Sequence, residues 1–434
     1  MFETLSWFYR YIFIFLILSF FILSCLIFFH KKNFLQPFLP VLVILMNATS
    51  YTLLSMNNES IEYNTLFISL TFCIVYIATR ISLNKILRIN DFLLYDIVSM
   101  LLSIGITMLY RLNPDYAIRQ IIFMVIGSIQ YFIIFWILNR IELNAKYAKY
   151  IGLSILIILL ITQAYGIQVF GSKNWIQISI FRFQPSEFLK ILFVIYMSML
   201  LIKDLNKINF FYLSLSIVVI TFFFALQRDL GSALIFFVVY LIMLFMVDKK
   251  IYYTLISSVA AFVMAIIGFY SFNHVKSRVE AWLYPWKFIS DKSYQVTQSL
   301  FAVASGGLLG TGLFLGNPDF IPAVHTDFIF SAISEENGII SAVIILLLLG
   351  LITLIGIRIS LKCNNNINKL ICVGLTSMTA IQTLIIVCGV LNIIPITGVT
   401  LPFVSYGGSS LLSQVINVSI LYYIDSKEIG EKND

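Results

Sequence analysis

Long apolar segments, separated by short polar ones, follow one another along the whole chain. Most span about 17 to 22 residues, and at a rise of about 1.5 Å per residue a helix of that length crosses the ~30 Å hydrocarbon core of a bilayer. A backbone exposed to lipid must satisfy its own hydrogen bonds, and the alternating pattern of barrel strands is not seen. The pattern therefore predicts an all-α polytopic membrane protein. The apolar runs cover approximately residues 11–29, 37–56, 65–82, 92–110, 120–139, 150–169, 186–202, 209–226, 231–247, 252–271, 336–357, 370–390 and 408–424.

The composition agrees with this prediction. Of 434 residues, 60% are hydrophobic and 11% are charged, whereas about a quarter of the residues of a soluble domain are charged. The net charge of +7 does not indicate nucleic acid, because most Lys and Arg residues flank apolar runs. None of the five cysteines has the spacing of metal ligands. We therefore expect membrane lipids around the protein, no nucleic-acid partner and no metal site.

The distribution of basic residues predicts the orientation. Most of the 28 Lys and Arg residues lie in every second loop and in the C-terminal tail, and the positive-inside rule makes that side cytoplasmic. The N-terminus is then outside and the C-terminus is cytoplasmic. His30, Lys31 and Lys32 follow the first run, which is typical of a retained anchor rather than a cleaved signal peptide. Most prolines lie in the outer loops, whose longest segments are about 271–327 and 391–408.

Charged residues at the edges of the apolar runs are candidates for chemistry. Glu187 and Lys190 share one face of a helix, and they form either an interfacial ion pair that fixes the helix end or a functional pair. Arg228 and Asp229 stand in a short outer turn, where they pair with each other, bind lipid headgroups or take part in the reaction.

Another outer loop places Lys173 and Arg182 at the level of the lipid headgroups, together with Trp175. An aromatic belt explains the tryptophan. The two cations are suited to holding a diphosphate, for which Arg offers a bidentate fork and Lys a point charge.

The long outer segment carries Arg278, Gln295, a glycine series at 306–312, and then His325 and Asp327 at the membrane edge. Asp327 is suited to cap the helix that follows it, to act as a base, or to do both. A second segment, 395–410, is dense in Pro and Gly and contains Ser405; it predicts a re-entrant turn that lines a cavity.

These segments, in this order, resemble the SEDS family, the shape, elongation, division and sporulation proteins that include RodA, FtsW and SpoVE. The resemblance covers about residues 91–425 and is carried by several short motifs. They are Trp175 with Phe183-Gln184-Pro185-Ser186-Glu187 and Lys190, Gln227 with Asp229-Leu230-Gly231, Tyr294-Gln295, Gly306-Gly307, His325-Thr326-Asp327-Phe328, and Leu401-Pro402-Phe403 with Ser405-Tyr406-Gly407-Gly408-Ser409.

The resemblance implies a ten-helix core at 91–434, preceded at 1–90 by an extension of about three transmembrane helices. It implies a peptidoglycan glycosyltransferase of the bacterial cytoplasmic membrane that joins lipid II into glycan strands during elongation, division or sporulation. Its partners would be a class B penicillin-binding protein, lipid II and the growing lipid-linked glycan. Asp327 matches the essential acid of the family, and Trp175, Glu187 and Lys190 match further positions implicated in its activity or partner response.

The chain departs from the family pattern at four positions. Asn174 stands where Arg is usual, Arg228 where Pro is usual, Tyr284 where Asp is usual and Ala323 where Glu is usual. These substitutions bear on substrate contacts and leave Asp327 unchanged.

Together these features predict an inverting transfer, in which Asp327 takes the proton of an acceptor hydroxyl as general base. Lys173, Arg182, Arg228 and Arg278 are candidates to stabilise the departing diphosphate, and Gln295, His325 and Ser405 complete the candidate substrate-binding set. The sequence identifies no cofactor, and a divalent cation is an alternative source of positive charge. Two other functions stay open: a flippase or transporter of lipid II, and a non-catalytic scaffold of the cell-wall machinery.

Overall fold

The computed structural model describes residues 2–56, 63–141, 144–169, 171–179, 181–202 and 207–433. Fifteen α-helices dominate it. They are α1 (Phe2–His30), α2 (Phe38–Ser55), α3 (Tyr63–Leu87), α4 (Leu93–Leu112), α5 (Pro114–Arg140), α6 (Ala148–Tyr165), α7 (Pro185–Leu201), α8 (Lys207–Leu226), α9 (Leu230–Val247), α10 (Tyr252–Ser271), α11 (Asn273–Leu283), α12 (Tyr294–Gly306), α13 (Ile329–Lys362), α14 (Asn366–Val390) and α15 (Gly408–Asn433).

Every apolar run of the sequence corresponds to one of these helices. Within the described residues, eleven are long and apolar enough to cross a membrane: α1–α6, α8–α10, α13 and α14. The other two runs are α7, which has 17 residues, and α15, whose buried polar residues include Gln414 and Asn417. The predicted all-α polytopic fold is confirmed.

Two regions are more ordered than the apolar pattern alone predicts. The loop between α6 and α7 forms a three-stranded antiparallel sheet of β1 (Ile167–Val169), β2 (Ser172–Ile178) and β3 (Phe181–Phe183). The long segment between α10 and α13 contains α11, α12 and short 3-10 turns at Pro285–Lys287 and Pro318–Phe320. These elements are too short to give a clear periodicity, which explains why the sequence did not reveal them.

Helix α4 lies at the centre of the bundle, and nearly all of its residues are buried. It packs against α2, α5 and α13. The segment between α14 and α15 enters the bundle far enough that a Cβ atom on Gly105 of α4 would overlap the Val404 backbone. This segment is therefore buried in protein, which is the condition under which irregular backbone is stable at membrane depth.

The three leading helices pack closely against the rest of the bundle. Helix α1 contacts α2 and α13, α2 contacts α4, and α3 contacts α5. The buried Asp96 of α4 accepts hydrogen bonds from Tyr76 (2.6 Å) and Arg80 (3.1 Å) of α3. Breaking such a buried pair leaves an uncompensated charge, so α3 and α4 are coupled electrostatically as well as by packing.

Candidate functional site

Asp327 lies in the turn that leads into α13. Ala323, with φ of 56°, reverses the chain there, and the Thr326 hydroxyl donates to the Ala323 carbonyl at 3.1 Å. Phe328 occupies the N-cap position of α13 and is almost fully buried. Asp327 therefore does not cap α13, and the capping role considered from the sequence is wrong. Its carboxylate is partly buried between elements that lie far apart in sequence.

The segment between α14 and α15 forms one wall around this carboxylate. A Cβ atom on Gly398 would lie 3.6 Å from Asp327 Oδ2, in ordinary van der Waals contact, so the Gly398 backbone lies beside the acid. Ser405 Oγ donates to the Thr326 carbonyl at 2.6 Å and accepts from the Leu401 amide at 2.9 Å. Ser405 thus positions the backbone next to Asp327. A small cavity beside the acid is lined by Asp327, Phe328, Ile385, Ile386, Gly389, Val390, Ile396 and Thr397.

Aromatic rings cover His325, which lies two residues before Asp327. Its imidazole stacks on Tyr116 of α5, with ring centroids 4.4 Å apart, and Tyr406 lies 4.8 Å from Tyr116. The Tyr406 amide donates to the His325 carbonyl at 2.9 Å. Burial lowers the pKa of His325, so its imidazole is neutral at neutral pH. Tyr116 was not among the residues selected from the sequence, because its contact with His325 depends on helix packing.

Arg278 of α11 is the positively charged residue that interacts electrostatically with Asp327. Its Nη1 donates to the Ile396 carbonyl at 3.1 Å. Burial lowers the pKa of Arg278, while its attraction to Asp229 and Asp327 opposes that effect; an Arg in this position stays charged. Burial raises the pKa of Asp327 from 3.8 to about 6, against the opposing effects of the Thr326 hydrogen bond and the Arg278 charge. The acid is therefore ionised at neutral pH and has a basicity suited to proton transfer.

An open pocket of about 380 Å³ lies one helical turn from Arg278 along α11. Arg228 and His274 line it, together with Ala225, Leu226, Ser271, Phe272 and Asn273. Burial lowers the pKa of His274, and the positive charges of Arg278 and Arg228 lower it further. The pocket is thus a region of positive potential, which favours an anion. His274, like Tyr116, was not identified from the sequence.

Asp229 has a structural role in the turn before α9. Its carboxylate accepts from the Ser232 amide (3.0 Å) and hydroxyl (2.8 Å), and from Asn174 Nδ2 at 2.6 Å. Within the described part of the chain it forms no ion pair with Arg228, so the pairing considered from the sequence is wrong. The free amides at the start of α9 take the carboxylate instead, and the Arg228 side chain is left exposed at the pocket.

Glu187 and Lys190 form an ion pair of 2.8 Å, and both are almost fully buried. Lys190 also donates to Gln382 Oε1 (2.9 Å), and Glu187 accepts from Ser413 (3.1 Å). The pair lies between α7, α14 and α15, in the interior of the bundle. Because Gln382 in turn donates to the Thr400 carbonyl at 2.9 Å, the pair supports the segment that flanks Asp327.

The remaining sequence candidates lie on the sheet of β1–β3 and on α12. Lys173 Nζ donates to the Gln163 carbonyl at 2.7 Å, and Arg182 Nε donates to Gln177 at 3.0 Å. The Trp175 side chain is half-buried on β2, opposite Ile167, and Gln295 is exposed. Among the described residues no hydrogen bond or ion pair joins these four side chains to Asp327, and of the four candidate cations Arg278 is the one whose charge acts on the acid.

The described residues contain no group of three or more His, Cys, Asp or Glu side chains that could hold a metal ion.

Comparison with known proteins places this geometry in a family. The model of the FtsW, RodA and SpoVE family, described as "Cell cycle protein", matches residues 97–429. The chain is 30% identical to peptidoglycan glycosyltransferase RodA of Mycobacterium tuberculosis over 84% of each chain. It is 34% identical to stage V sporulation protein E of Bacillus subtilis over 76% of this chain and 95% of that one.

Solved structures share the fold. A chain from a peptidoglycan synthase complex, studied for its coordination of polymerization and crosslinking, superposes with a TM-score of 0.69. It is 22% identical, over 78% of this chain and 98% of that one. The crystal structure of the rod shape determining protein RodA of Thermus thermophilus gives a TM-score of 0.59 at 23% identity, over 77% and 96% of the two chains. With its sequence motifs, its fold and a family match over residues 97–429, this chain belongs to the SEDS family of FtsW, RodA and SpoVE proteins.

Proposed function

We propose that this protein polymerises lipid II into glycan strands, with Asp327 as the general base. Peptidoglycan glycosyltransferase activity itself follows from its relatives, since RodA of Mycobacterium tuberculosis and the probable FtsW of Geobacter sulfurreducens carry that name and match it over most of their length. The chain is thus a peptidoglycan glycosyltransferase. The partly buried Asp327 carboxylate, with its raised pKa and its place between Arg278 and the Gly398 backbone, is the observation that carries the assignment of the base.

The reaction needs a base more than it needs an acid. A hydroxyl of the acceptor sugar attacks the anomeric carbon of the donor, a new C–O bond forms, and the bond to the lipid diphosphate breaks with inversion from α to β. The diphosphate leaves with the bonding electron pair and is a good leaving group without protonation. Asp327 receives the hydroxyl proton, a contribution of about 10²–10⁴ in rate for a well-placed base. With a pKa of about 6 it is ionised and ready to accept at neutral pH.

The leaving diphosphate would bind in the pocket lined by Arg228 and His274. Arg228 is exposed there, and Arg278 lies one turn further along α11, on the side of Asp327. The pocket thus lies about one helical turn from Arg278, whose charge interacts with Asp327. Fixed cations stabilise the departing anion most as its charge develops.

We also propose the orientation of the protein in the membrane and its partners. The segment of Asp327, α11 and the hairpin of β1–β3 gather at one end of the bundle, and we place that end outside the cytoplasmic membrane, with the N-terminus outside and the C-terminus in the cytoplasm. The donor and the growing glycan would keep their lipid tails in the bilayer and present their sugars to Asp327. A class B penicillin-binding protein is the proposed partner, in line with the peptidoglycan synthase complex that shares this fold.

The test is polymerisation of purified lipid II by the protein with its transpeptidase partner. Asp327→Asn should abolish product formation, because the amide cannot accept the proton, while Asp291→Asn, an exposed acid of the same outer segment, should retain it. Retained polymerisation by a folded Asp327→Asn protein contradicts the assignment of the base. Wild-type protein that moves lipid II across liposomes without polymerising it would be a flippase, and one that does neither would be a scaffold.

A second pair of variants tests the diphosphate pocket. Arg228→Gln should raise the KM for lipid II about tenfold or more, because a charge-assisted contact to phosphate is lost. Arg182→Gln removes an exposed arginine from β3 and is the matched control. If both variants behave alike, the pocket does not bind the diphosphate.

A further inference from the structure

Helix α1 lies outside the part of the chain that matches the family model, yet its first turns contact the glycine-rich segment that precedes Asp327. Ser6 Oγ donates to the Leu313 carbonyl, and Arg10 Nη1 donates to the Gly310 carbonyl at 2.9 Å. Ser6 is fully buried. The two residues are four positions apart and therefore share one face of the helix.

The glycine-rich segment around Gly310 and Gly312 has little freedom to move. Gly310 has φ of 84°, and a Cβ atom there would overlap the Glu336 carbonyl. On the other side, a Cβ atom on Gly312 would lie 3.0 Å from Ser6 Oγ. The glycines thus let the backbone pass between α1 and α13 where side chains do not fit.

The same segment is joined to α13 by a short ladder of hydrogen bonds. The amides of Thr311 and Gly312 donate to the carbonyls of Glu335 and Glu336, both at 2.9 Å, and the Asn317 amide donates to Glu335 Oε1 at 2.9 Å. We call these five residues the neck. Asp327 lies on the stretch of chain between its two sides, so the neck closes the base of the loop that carries the acid.

Helix α4 also contacts the neck, through Arg111. Arg111 forms an ion pair of 2.9 Å with the buried Glu336 and donates to the Gly316 carbonyl at 3.2 Å. Arg111 therefore joins α13 to the glycine-rich segment at the neck, and Arg10 binds that segment at Gly310, next to the neck.

Arg10 is itself held in place by neighbouring rings. Its guanidinium lies 4.2 Å from the Trp7 ring centroid and 4.9 Å from that of Tyr11, and Nη2 donates to the Tyr11 hydroxyl at 3.0 Å. Helix α1 is fixed in turn by the hydrogen bond of Tyr9 to Ser50 of α2. An arginine stacked on two rings loses little further freedom when it binds a carbonyl.

We infer that Ser6 and Arg10 are positioning residues for Asp327, and that the N-terminal helices serve to clamp the neck of the loop that carries this acid. A base must be held close to its productive geometry, and a displacement of about 1 Å can cost about 10²-fold in rate. This inference rests on the proposed function only for its kinetic measurement, because exchange of the neck amides is independent of catalysis.

The experiment compares the wild type with Arg10→Gln and with Ser6→Ala/Arg10→Gln in full-length protein with its partner. We expect kcat for lipid II polymerisation to fall about tenfold in Arg10→Gln and further in the double variant, with KM nearly unchanged. Hydrogen exchange should accelerate by a similar factor at the amides of Thr311 and Gly312, and not in α14. Arg10→Lys, which keeps a donor for the Gly310 carbonyl, should recover most of kcat.

Arg140→Gln is the matched control, since Arg140 also lies over a tryptophan, Trp136 (5.5 Å), but at the C-terminal end of α5. It should leave both kcat and neck exchange at wild-type values. Unchanged neck exchange in the double variant overturns the clamp, and so does a kcat loss that appears only with a lower melting temperature and faster exchange throughout the protein. An inactive wild type would contradict the proposed function, and neck exchange would still decide whether α1 clamps the loop.

Discussion

Replacing Asp327 by Asn should make the folded protein more stable at neutral and alkaline pH while removing its activity. The carboxylate is partly buried beside the backbone of Gly398, and burial raises its pKa from 3.8 to about 6. Asn has nearly the same shape and carries no charge, so the variant avoids the cost of desolvating an ion.

The sign and size of the effect follow from linkage. The pKa of Asp327 is higher in the folded than in the unfolded state. The free-energy cost of burying the ionised carboxylate is therefore absent below about pH 4, where the acid is protonated in both states. This cost is complete above about pH 6. A pKa of about 6 against 3.8 corresponds to about 3 kcal/mol. The pKa of about 6 is the net result of burial, which raises it, and of the Thr326 hydrogen bond and the Arg278 charge, which lower it, so the attraction to Arg278 is already included in the value of about 3 kcal/mol.

The assay is thermal unfolding of purified protein in one detergent at a fixed scan rate, from pH 4 to pH 8. We expect the apparent melting temperature of Asp327→Asn to exceed that of the wild type by a few degrees at pH 8 and to equal it near pH 4. Asp291→Asn, at an exposed position, should show no such pH-dependent gain. A gain that is the same at pH 4 and pH 8, or a variant less stable at pH 8, would refute the reasoning.

Three further predictions concern the same region and its supports. The pH profile of kcat/KM should fall about tenfold per pH unit below about 6 as Asp327 is protonated; a flat profile between pH 5 and 7 speaks against this base. Glu187→Gln should cost about 3–5 kcal/mol by leaving the buried Lys190 charge unpaired, and Glu187→Gln/Lys190→Met should recover most of the melting temperature. Gly338→Ala should lower the melting temperature by several degrees, because φ is 82° and a Cβ atom would overlap the Leu308 carbonyl. Gly350→Ala, on the same helix with open space around it, should not.

The sequence was most informative where one physical constraint acts on each segment separately. Bilayer thickness sets the length of every apolar run, and each run corresponds to a helix of the structure. The motif around Asp327 was likewise recognisable, because its residues are consecutive. The hairpin of β1–β3 and helices α11 and α12 were not predicted, since each is short and owes its stability to the surface it covers.

The pairing of charges depended on contacts that sequence distance does not reveal. Arg228 and Asp229 are neighbours, yet Asp229 binds Asn174 and Ser232 and leaves Arg228 facing a pocket. Glu187 and Lys190 do pair, as their spacing allowed, but their further contacts with Gln382 and Ser413 come from two other helices.

The sequence by itself thus determined that this is a polytopic helical membrane protein of the SEDS family, with Asp327 as its candidate acid. Only the tertiary structure decided which groups surround that acid. Arg278 and Ile396, Ser405 and Thr326, and Arg10 and Gly310 meet across wide separations in the chain. Such contacts are set by how the helices pack and by which backbone groups remain unsatisfied inside the bundle, and neither appears in the local pattern of residues.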